Sequence, residues 1–329
     1  MKILSPMLAV IILVVITVIG VEVGNLHFLF GVIIPYIAVF IFMIGIIYRI
    51  IRWGCSPVPF RIPTTCGQQK SFSWISHNNL ENPSTAVGVI GRIALEILLF
   101  RSLFRNTRTK LENGPHLTHS TERWLWLAAL AFHFSFLIVL IRHLRLFVEP
   151  ISPIMSLISL LDGFMQVGST VIYLSSITLL SAVTFLLLRR ILSMKIRYIS
   201  LPADYFPLFL IIGIVISGIL MRYWTKIDVV SIKIFAIGLT KFSPVIPTNV
   251  GAIFYIHLFL VSILLAYFPF SKLVHMAGIF LSPTRNMANN NRIKRHINPW
   301  NYPVKVYTYK EYEDEFREKM KKVGIPVEF

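Results

Sequence analysis

Charged residues are scarce in this 329-residue sequence: Asp, Glu, Lys and Arg make up 14% of positions, while hydrophobic residues make up 55%. A soluble domain carries more charge than this, so the composition excludes an ordinary soluble α/β protein. Acidic residues are the rarest class, with 15 of them against 32 Lys and Arg. The basic residues lie in blocks between apolar runs, which argues against nucleic-acid binding and indicates that they set membrane topology.

Cysteine is also nearly absent. The two cysteines, Cys55 and Cys66, are eleven positions apart, and the sequence has neither a CxxC motif nor a Cys/His cluster. Two thiols alone cannot hold an iron–sulfur cluster or a typical structural zinc, so we interpret both as reduced structural cysteines. The sequence also shows no nucleotide-binding loop and no soluble catalytic domain. Any chemistry on a soluble substrate must therefore come from a partner protein.

Long apolar runs are what the sequence has in abundance. They predict an all-α polytopic membrane protein, a bundle of about six transmembrane helices with a short polar tail. We expect the spans at residues 6–24, 30–51, 123–147, 166–188, 204–221 and 251–281. The first is not expected to be a removed signal peptide, because a second span follows almost at once. The turn between these two spans contains His27, which we interpret as an ordinary interfacial residue.

The basic residues orient these spans. With a cytoplasmic N-terminus, 26 of the 32 Lys and Arg fall on the cytoplasmic side, as the positive-inside tendency requires. We therefore expect a cell-membrane protein with both termini in the cytoplasm. Four regions follow, namely two N-terminal transmembrane helices (1–52), a cytoplasmic loop (53–122), a four-helix unit (123–281) and a cytoplasmic tail (282–329).

Two helices are predicted outside the spans. Residues 87–104 are apolar but contain Arg92, Glu96 and Arg101, which favours an amphipathic helix on the membrane surface. If this segment crossed the membrane instead, every later orientation would invert. In the tail, Thr308 and Glu311 form a capping-box pattern before a short helix at residues 309–323.

Four histidines lie in two of the apolar runs: His133 and His143 in residues 123–147, and His257 and His275 in residues 251–281. If the two helices run antiparallel, His133 faces His275 and His143 faces His257. Two histidines on facing helices can hold a haem iron from both sides. A lone membrane histidine is often only hydrogen-bonded to a neighbouring helix, but two matched pairs favour two haem sites.

The spacings of the two pairs differ. Ten residues of helix span about 15 Å and eighteen span about 27 Å. Pro269 lies between His257 and His275, and we expect it to kink the longer segment and absorb part of the difference. The basic residues beside the outer pair, Arg142 and Arg145, are expected to contact haem propionates.

The spacings His133-x9-His143 and His257-x17-His275 resemble those of the dihaem cytochrome b subunit of respiratory nitrate reductase. Residues 56–70, which read SPVPFRIPTTCGQQK, resemble the cytoplasmic loop of a narrower family. This is the membrane cytochrome b subunit DsrM of the sulfite-reduction-associated complex, with its archaeal counterpart in a heterodisulfide-reductase-like menaquinol-oxidising enzyme.

The resemblance implies two haem b groups and menaquinol as the electron donor. It also implies a cytoplasmic Fe–S partner similar to the catalytic subunit of heterodisulfide reductase, further membrane and extracytoplasmic subunits, and a role in sulfate or sulfite respiration. The protein would then act as the quinol-oxidising, electron-transferring subunit of an oxidoreductase complex. The polar tail and the proline-rich loop would form the docking surface for the Fe–S partner.

Quinol oxidation also needs a proton acceptor near a haem edge. On the outer side, the loop charges Glu149, Asp162, Lys226 and Asp228 are close in sequence to the spans that carry His143 and His257. We expect Glu149 and Asp162 to accept protons and Lys226 to contact a quinone oxygen, although ordinary solvated charges would give the same pattern.

Three other functions remain open. A methanophenazine-linked heterodisulfide reductase subunit would share the haem ligands. A cytochrome b of a hydrogenase or formate dehydrogenase would have its soluble partner outside the cytoplasm. A haem-free anchor or transporter would show no haem absorbance.

Overall fold

The computed structural model describes residues 2–57, 67–105, 107–114, 116–167, 170–247, 250–282, 285–290 and 303–328. Six helical segments in these ranges are long and apolar enough to cross a membrane. The protein is therefore an all-α polytopic membrane protein, as predicted. The six segments are Leu4–Val23, Leu29–Gly54, Arg123–Leu144, Leu174–Leu192, Pro202–Thr225 and Ala252–Phe270.

Three of the six segments contain a π-helical turn at the end that we assign to the outer side. The first consists of α1 (Leu4–Val18) and the π turn Ile19–Val23, and the second of the π turn Leu29–Ile33 and α2 (Ile34–Gly54). The third and fourth are the uninterrupted helices α5 (Arg123–Leu144) and α7 (Leu174–Leu192). The fifth is α9 (Pro202–Ile219) with the π turn Leu220–Thr225.

The remaining elements are short. On the assigned cytoplasmic side they are α3 (Ala86–Leu99), α4 (Arg101–Phe104), the hairpin β1 (Thr107–Glu112) and β2 (His116–Thr121), α8 (Met194–Ile199) and the tail helix α13 (Tyr309–Lys322). On the other side they are α6 (Pro153–Asp162), the hairpin β3 (Gly163–Val167) and β4 (Thr170–Tyr173), and α10 (Val229–Thr240).

The histidine-bearing sixth segment is broken at its proline. Helix α11 (Ala252–Tyr267) gives way to two 3-10 turns, Phe268–Phe270 and Lys272–Val274, before α12 (His275–Leu281) begins. Pro269 is buried against α2, where a Cβ on Gly45 would lie only 2.6 Å from the proline Cβ. The kink predicted from Pro269 is confirmed, and it frees His275 from the helical phase of His257.

The bundle has two packed regions joined by α9 and α11. Helix α11 packs against the two π turns of the first two segments and against α10 through an apolar cluster that includes Val21, Phe30, Phe235 and Tyr255. It packs against α1 and α9 through a second cluster, which consists of Val10, Leu210, Ile256 and Leu260. Helix α9 packs against α7 through Leu179, Val183, Ile211 and Val215, with Phe132 and Phe136 of α5 at the edge. Burial of this apolar surface, side chain against side chain, positions α5 opposite α11.

Two sequence expectations need correction. The fourth span begins at Leu174 and not at residue 166, because Gln166 lies in β3, where it pairs with Val171. Residues 163–167 and 170–173 pair with each other as antiparallel strands, an arrangement that hydropathy does not reveal. The loop before this hairpin also contains a helix, α6, that the sequence did not predict.

The helices predicted outside the spans are present. Residues 87–104 form α3 and α4, separated by Phe100 in the left-handed conformation at φ 47°. The tail helix has the predicted capping box, with Thr308 accepting from the Glu311 backbone and Glu311 accepting from Thr308. Cys55 is a free, exposed thiol. Cys66 and most of the proline-rich strip, residues 58–66, lie outside the described residues.

Candidate functional site

The structure brings the four membrane histidines together in two pairs. The ring centres of His133 and His275 are 6.0 Å apart and those of His143 and His257 are 6.3 Å apart. In each pair one ring comes from α5 and the other from the α11–α12 segment. These are the pairs that the antiparallel arrangement predicts, and the break at Pro269 resolves the unequal spacing along the two helices.

All four rings are held through the same nitrogen. The Nδ1 atoms of His133 and His143 lie 2.7 Å from the carbonyl oxygens of Ala129 and Val139, one helical turn earlier. His275 Nδ1 lies 2.9 Å from the Lys272 carbonyl oxygen. When Nδ1–H donates to a carbonyl, the proton is fixed there and the lone pair of Nε2 is left to bind a metal.

His257 Nδ1 has two candidate partners, the Ile214 carbonyl oxygen at 3.1 Å and Ser217 Oγ at 3.0 Å. Both belong to α9, so this ring is oriented by a neighbouring helix. Gly218 lies against the same ring, and a Cβ added there would be 3.2 Å from His257 Cε1. The absence of a side chain at residue 218 therefore sets the position of the imidazole.

This geometry fits a metal with a histidine on either side. Metal–nitrogen bonds of about 2 Å to two opposing imidazoles separate the ring centres by roughly 6 Å, the separation seen in both pairs. In the part of the chain that the structure describes, no three His, Cys, Asp or Glu side chains group closely enough to hold a bare metal ion. Two imidazoles suffice only for a metal that brings its own equatorial ligands, as haem iron does.

The surroundings of the two pairs differ. At the His133–His275 pair, Phe100 and Phe132 contact the His133 ring edge-on, with ring centres 4.9 and 5.1 Å away. His275 and His143 are exposed, so each pair is open from the side and a flat macrocycle can reach it between the helices. The aromatic residues supply the apolar contacts that such a macrocycle needs.

A buried ion pair lies beside the outer pair of histidines. Arg142 Nη1 donates to Asp162 Oδ2 at 2.7 Å, and the two side chains are only 11% and 4% exposed. Asp162 also accepts from the backbone N–H and the hydroxyl of Ser175, at 2.8 and 2.6 Å. The carboxylate is therefore fully engaged, and it fixes Arg142 one residue before His143.

A second arginine at this place was not predicted from the sequence. The Arg142 guanidinium lies 3.1 Å from the ring centre of Tyr173, and that of Arg222 lies 4.3 Å from the same centre. Arg222 also donates to the Val171 carbonyl oxygen. Two cations against one phenol ring and one buried carboxylate make this corner electropositive, which suits a carboxylate-bearing ligand. The sequence signal was present, since Arg222 is one of only six basic residues on the outer side.

The other predicted loop charges are not gathered with Asp162. Glu149 is 70% exposed and lies 3.4 Å from Lys233 Nζ. Lys226 is exposed and follows the π turn in a left-handed conformation. Asp228 caps α10 by accepting from the backbone of Val230 and Ser231, and hydrogen bonds from Ser231 and Val230 hold the pKa of Asp228 below its ordinary value. Arg145 follows the last turn of α5 and is half-buried.

Comparison with known proteins places these features in a family. A profile of the nitrate reductase gamma subunit matches residues 85–295, a range that contains all four histidines. A protein of Archaeoglobus fulgidus named Hdr-like menaquinol oxidoreductase cytochrome b-like subunit is 46% identical over 279 residues, 83% of each chain. A protein of the same name from Archaeoglobus profundus is 43% identical over 273 residues, 81% of each chain.

Proposed function

The chain belongs to the nitrate reductase gamma subunit family and is a multi-pass membrane subunit of the cytochrome b type in a quinol-linked redox complex, and from this premise we propose a more specific role. It oxidises menaquinol and passes the electrons through two b haems to a cytoplasmic Fe–S subunit similar to that of heterodisulfide reductase. Within the family it is of the DsrM type and serves sulfate or sulfite respiration.

The proposal rests on the two histidine pairs. His133 with His275 and His143 with His257 would each hold one haem b, which supplies a one-electron carrier. The protein's part is to fix the four imidazoles. The carbonyl bonds to Nδ1 orient each ring and keep Nε2 free, and the kink at Pro269 brings His275 opposite His133.

The charge distribution supports the membrane orientation that an inward electron flow requires. With the N-terminus inside, His133 and His275 lie towards the cytoplasm and His143 and His257 towards the outside, since 26 of the 32 basic residues then face the cytoplasm. Menaquinol oxidised near the outer pair would release its protons outside while its electrons move inward. The reaction would therefore separate charge across the membrane.

Several contacts support a single cytoplasmic docking surface for the Fe–S partner. Asn289 of the tail donates from its backbone N–H to the Pro83 carbonyl oxygen at 2.7 Å and from its amide to Asn82 Oδ1 at 2.5 Å. In the same loop region, Phe72 and Trp74 stack in parallel with ring centres 5.8 Å apart, and they are 66% and 79% exposed. An exposed aromatic pair on a surface built from loop and tail is a suitable hot spot for a protein partner.

The proposal is tested with the complex reconstituted in vesicles. Menaquinol and a soluble acceptor are added, and membrane potential is recorded with the haem absorbance. We expect both haems to be reduced by menaquinol and a potential, negative inside, to develop during turnover. Reduction of the haems without a membrane potential would contradict quinol oxidation near the outer histidine pair. A soluble partner found only outside the cytoplasm would favour the cytochrome b of a hydrogenase or formate dehydrogenase.

A further inference from the structure

The turn between the first two spanning segments has an unusual backbone. A π turn, Ile19–Val23, ends the first segment, and another, Leu29–Ile33, begins the second. Both pack against α11. A π turn is rare, widens the helix locally and occurs often at functional sites. Here the two flank His27, the residue to which the sequence assigned only an interfacial role.

His27 meets Tyr255 of α11 across this turn. Their ring centres are 5.1 Å apart with an angle of 54° between the planes. His27 Nδ1 and Tyr255 Oη are both buried, and neither has a hydrogen-bond partner among the residues that the structure describes. A buried polar atom without a partner costs stability, so two that belong to adjacent rings require an explanation.

The surroundings of the two rings suit a flat apolar ligand with polar edges. Tyr255 is 1% exposed and belongs to the aromatic cluster with Phe30, Phe235 and Phe254. Gly31 lets the tyrosine ring lie against the second π turn, since a Cβ there would be 3.3 Å from Tyr255 Cε1. The rim of the turn is apolar and open, with Val23 76% and Phe28 54% exposed, so a lipid-soluble molecule can enter from the bilayer.

The position relative to the outer histidine pair is equally specific. Tyr255 and His257 are two residues apart on α11, which is about 3 Å along the axis and about 200° around it. Tyr255 therefore faces the α1–α2 turn while His257 faces α5. A ligand held by His27 and Tyr255 would be separated from His257 by the width of a single helix.

We propose that His27 and Tyr255 bind the headgroup of menaquinol, an inference that rests on the proposed function and assigns it a site. His27 Nδ1 accepts the hydrogen bond, and then the proton, of one quinol hydroxyl. Tyr255 Oη is hydrogen-bonded to the oxygen at the other end of the ring. Glu22 is exposed in the first π turn, five residues before His27 in the sequence.

The chemistry balances with the groups named. Oxidation of one menaquinol to menaquinone breaks two O–H bonds and releases two protons and two electrons. His27 accepts the protons in turn and passes them to the outer water. The two electrons leave one at a time. A b haem held by His143 and His257 would accept each in turn, with reoxidation by the next electron acceptor in between.

This site differs from the loop charges Glu149, Asp162 and Lys226. Asp162 is already bound to Arg142 and Ser175, and Glu149 and Lys226 are exposed outside the apolar cluster. The aromatic site offers unsatisfied polar atoms inside an apolar wall, which is the arrangement that ligand pockets share.

The test uses the purified full-length protein with His27→Gln and Tyr255→Phe variants. Haem reduction by menadiol is followed in a stopped-flow instrument, and binding of the fluorescent quinol analogue 2-heptyl-4-hydroxyquinoline N-oxide is followed by quenching. We expect each variant to slow reduction and weaken binding about tenfold, the effect of losing one hydrogen bond. Reduction by dithionite should match the wild type, which shows that the haems are intact.

The controls are Tyr205→Phe, a fully buried tyrosine at the other end of the bundle, and His116→Gln on the cytoplasmic hairpin. Both should behave as the wild type. Wild-type rates and quenching in the His27 and Tyr255 variants would overturn the inference, as would slow reduction confined to Asp162→Asn or Glu149→Gln. If dithionite but not menadiol reduces the wild-type haems and the analogue does not bind, the proposed function itself fails.

Discussion

Arg142 and Asp162 form a nearly fully buried ion pair, 2.7 Å from Nη1 to Oδ2, that ties the last turn of α5 to the last residue of α6. Arg142 adjoins His143, so the pair also fixes the outer histidine site. Removing one partner of a buried ion pair leaves the other charge buried and uncompensated, which costs about 3–5 kcal/mol.

We therefore expect Asp162→Asn to lower the melting temperature of the detergent-solubilised protein strongly. The matched control is Glu149→Gln, which removes the exposed partner of Lys233, and pairs of that kind contribute only about 0–1 kcal/mol. An equal decrease in melting temperature in the two variants would show that the ion pair of Asp162 is no more stabilising than an exposed one. An intact melting temperature with slow quinol oxidation in Asp162→Asn would instead support its predicted role as a proton acceptor.

A side chain at residue 218 should disturb the site formed by His143 and His257. Gly218→Ala places a Cβ 3.2 Å from His257 Cε1, closer than nearly all ordinary contacts, so the imidazole must shift. We expect a changed low-spin electron paramagnetic resonance signal for one of two haems and an unchanged signal for the other. Gly251→Ala, at the start of the segment that carries His257, meets nothing within 4 Å and should leave both signals unaltered. Identical spectra in the two variants would contradict the placement of a haem at His257.

The buried carboxylate of Glu81 predicts a pH effect on stability in the loop before α3. Burial raises the pKa of its carboxyl group, but Arg101 and Arg105, at 2.7 and 2.6 Å, outweigh this and hold the pKa below the ordinary 4.5. A lowered folded-state pKa stabilises the protein above the unfolded-state value and ceases to do so as pH falls through the folded-state value. The wild type should therefore exceed Glu81→Gln in stability at pH 6 and lose that advantage below about pH 4.5.

Hydrogen exchange of residues 78–82 at a series of pH values measures this difference. Asp314→Asn, which removes an exposed pair with Arg317 in the tail helix, serves as the control and should leave exchange at residues 78–82 as in the wild type. A Glu81→Gln variant as protected as the wild type at pH 6 would show that the two arginines do not hold this loop.

The proposed docking surface is tested by crosslinking. Lys70 in the loop and Lys310 in the tail helix are exposed, and both should link to a cytoplasmic Fe–S subunit in the native membrane. Lys241, exposed after α10 on the opposite side, should not. Crosslinks from Lys241 to that subunit would show that the assigned membrane orientation is wrong. Crosslinks from Lys70 to extracytoplasmic partners alone would show the same.

Much of the fold was predictable because hydropathy over some twenty residues is a strong signal. It identified all six spans, and the caps of the tail helix followed from Thr308 and Glu311. It placed the start of the fourth span wrongly, since the apolar residues before Leu174 form a hairpin whose register depends on long-range packing. The helix α6 was missed because a segment of only ten residues is too short to show a clear helical period.

The candidate site was predictable only in part. Histidines in an apolar run are conspicuous, and helical phase predicted which pairs meet. The contacts of Arg222 with Tyr173, and of His27 with Tyr255, join residues far apart in sequence through tertiary packing, which no local pattern encodes. The hydrogen bond between Ser217 Oγ and His257 Nδ1 is likewise a contact between helices. Such positions become visible only once the bundle is assembled.

The two histidine pairs are tested most directly by haem stoichiometry. The pyridine haemochrome assay on the wild type and on His133→Ala, His143→Ala, His257→Ala and His275→Ala gives haem per protein, and the spectrum of each variant shows which haem remains. We predict two haems b in the wild type and one in each variant, with His133→Ala and His275→Ala keeping the same haem and His143→Ala and His257→Ala keeping the other. A wild type without haem, or losses that group His133 with His143, would contradict the account.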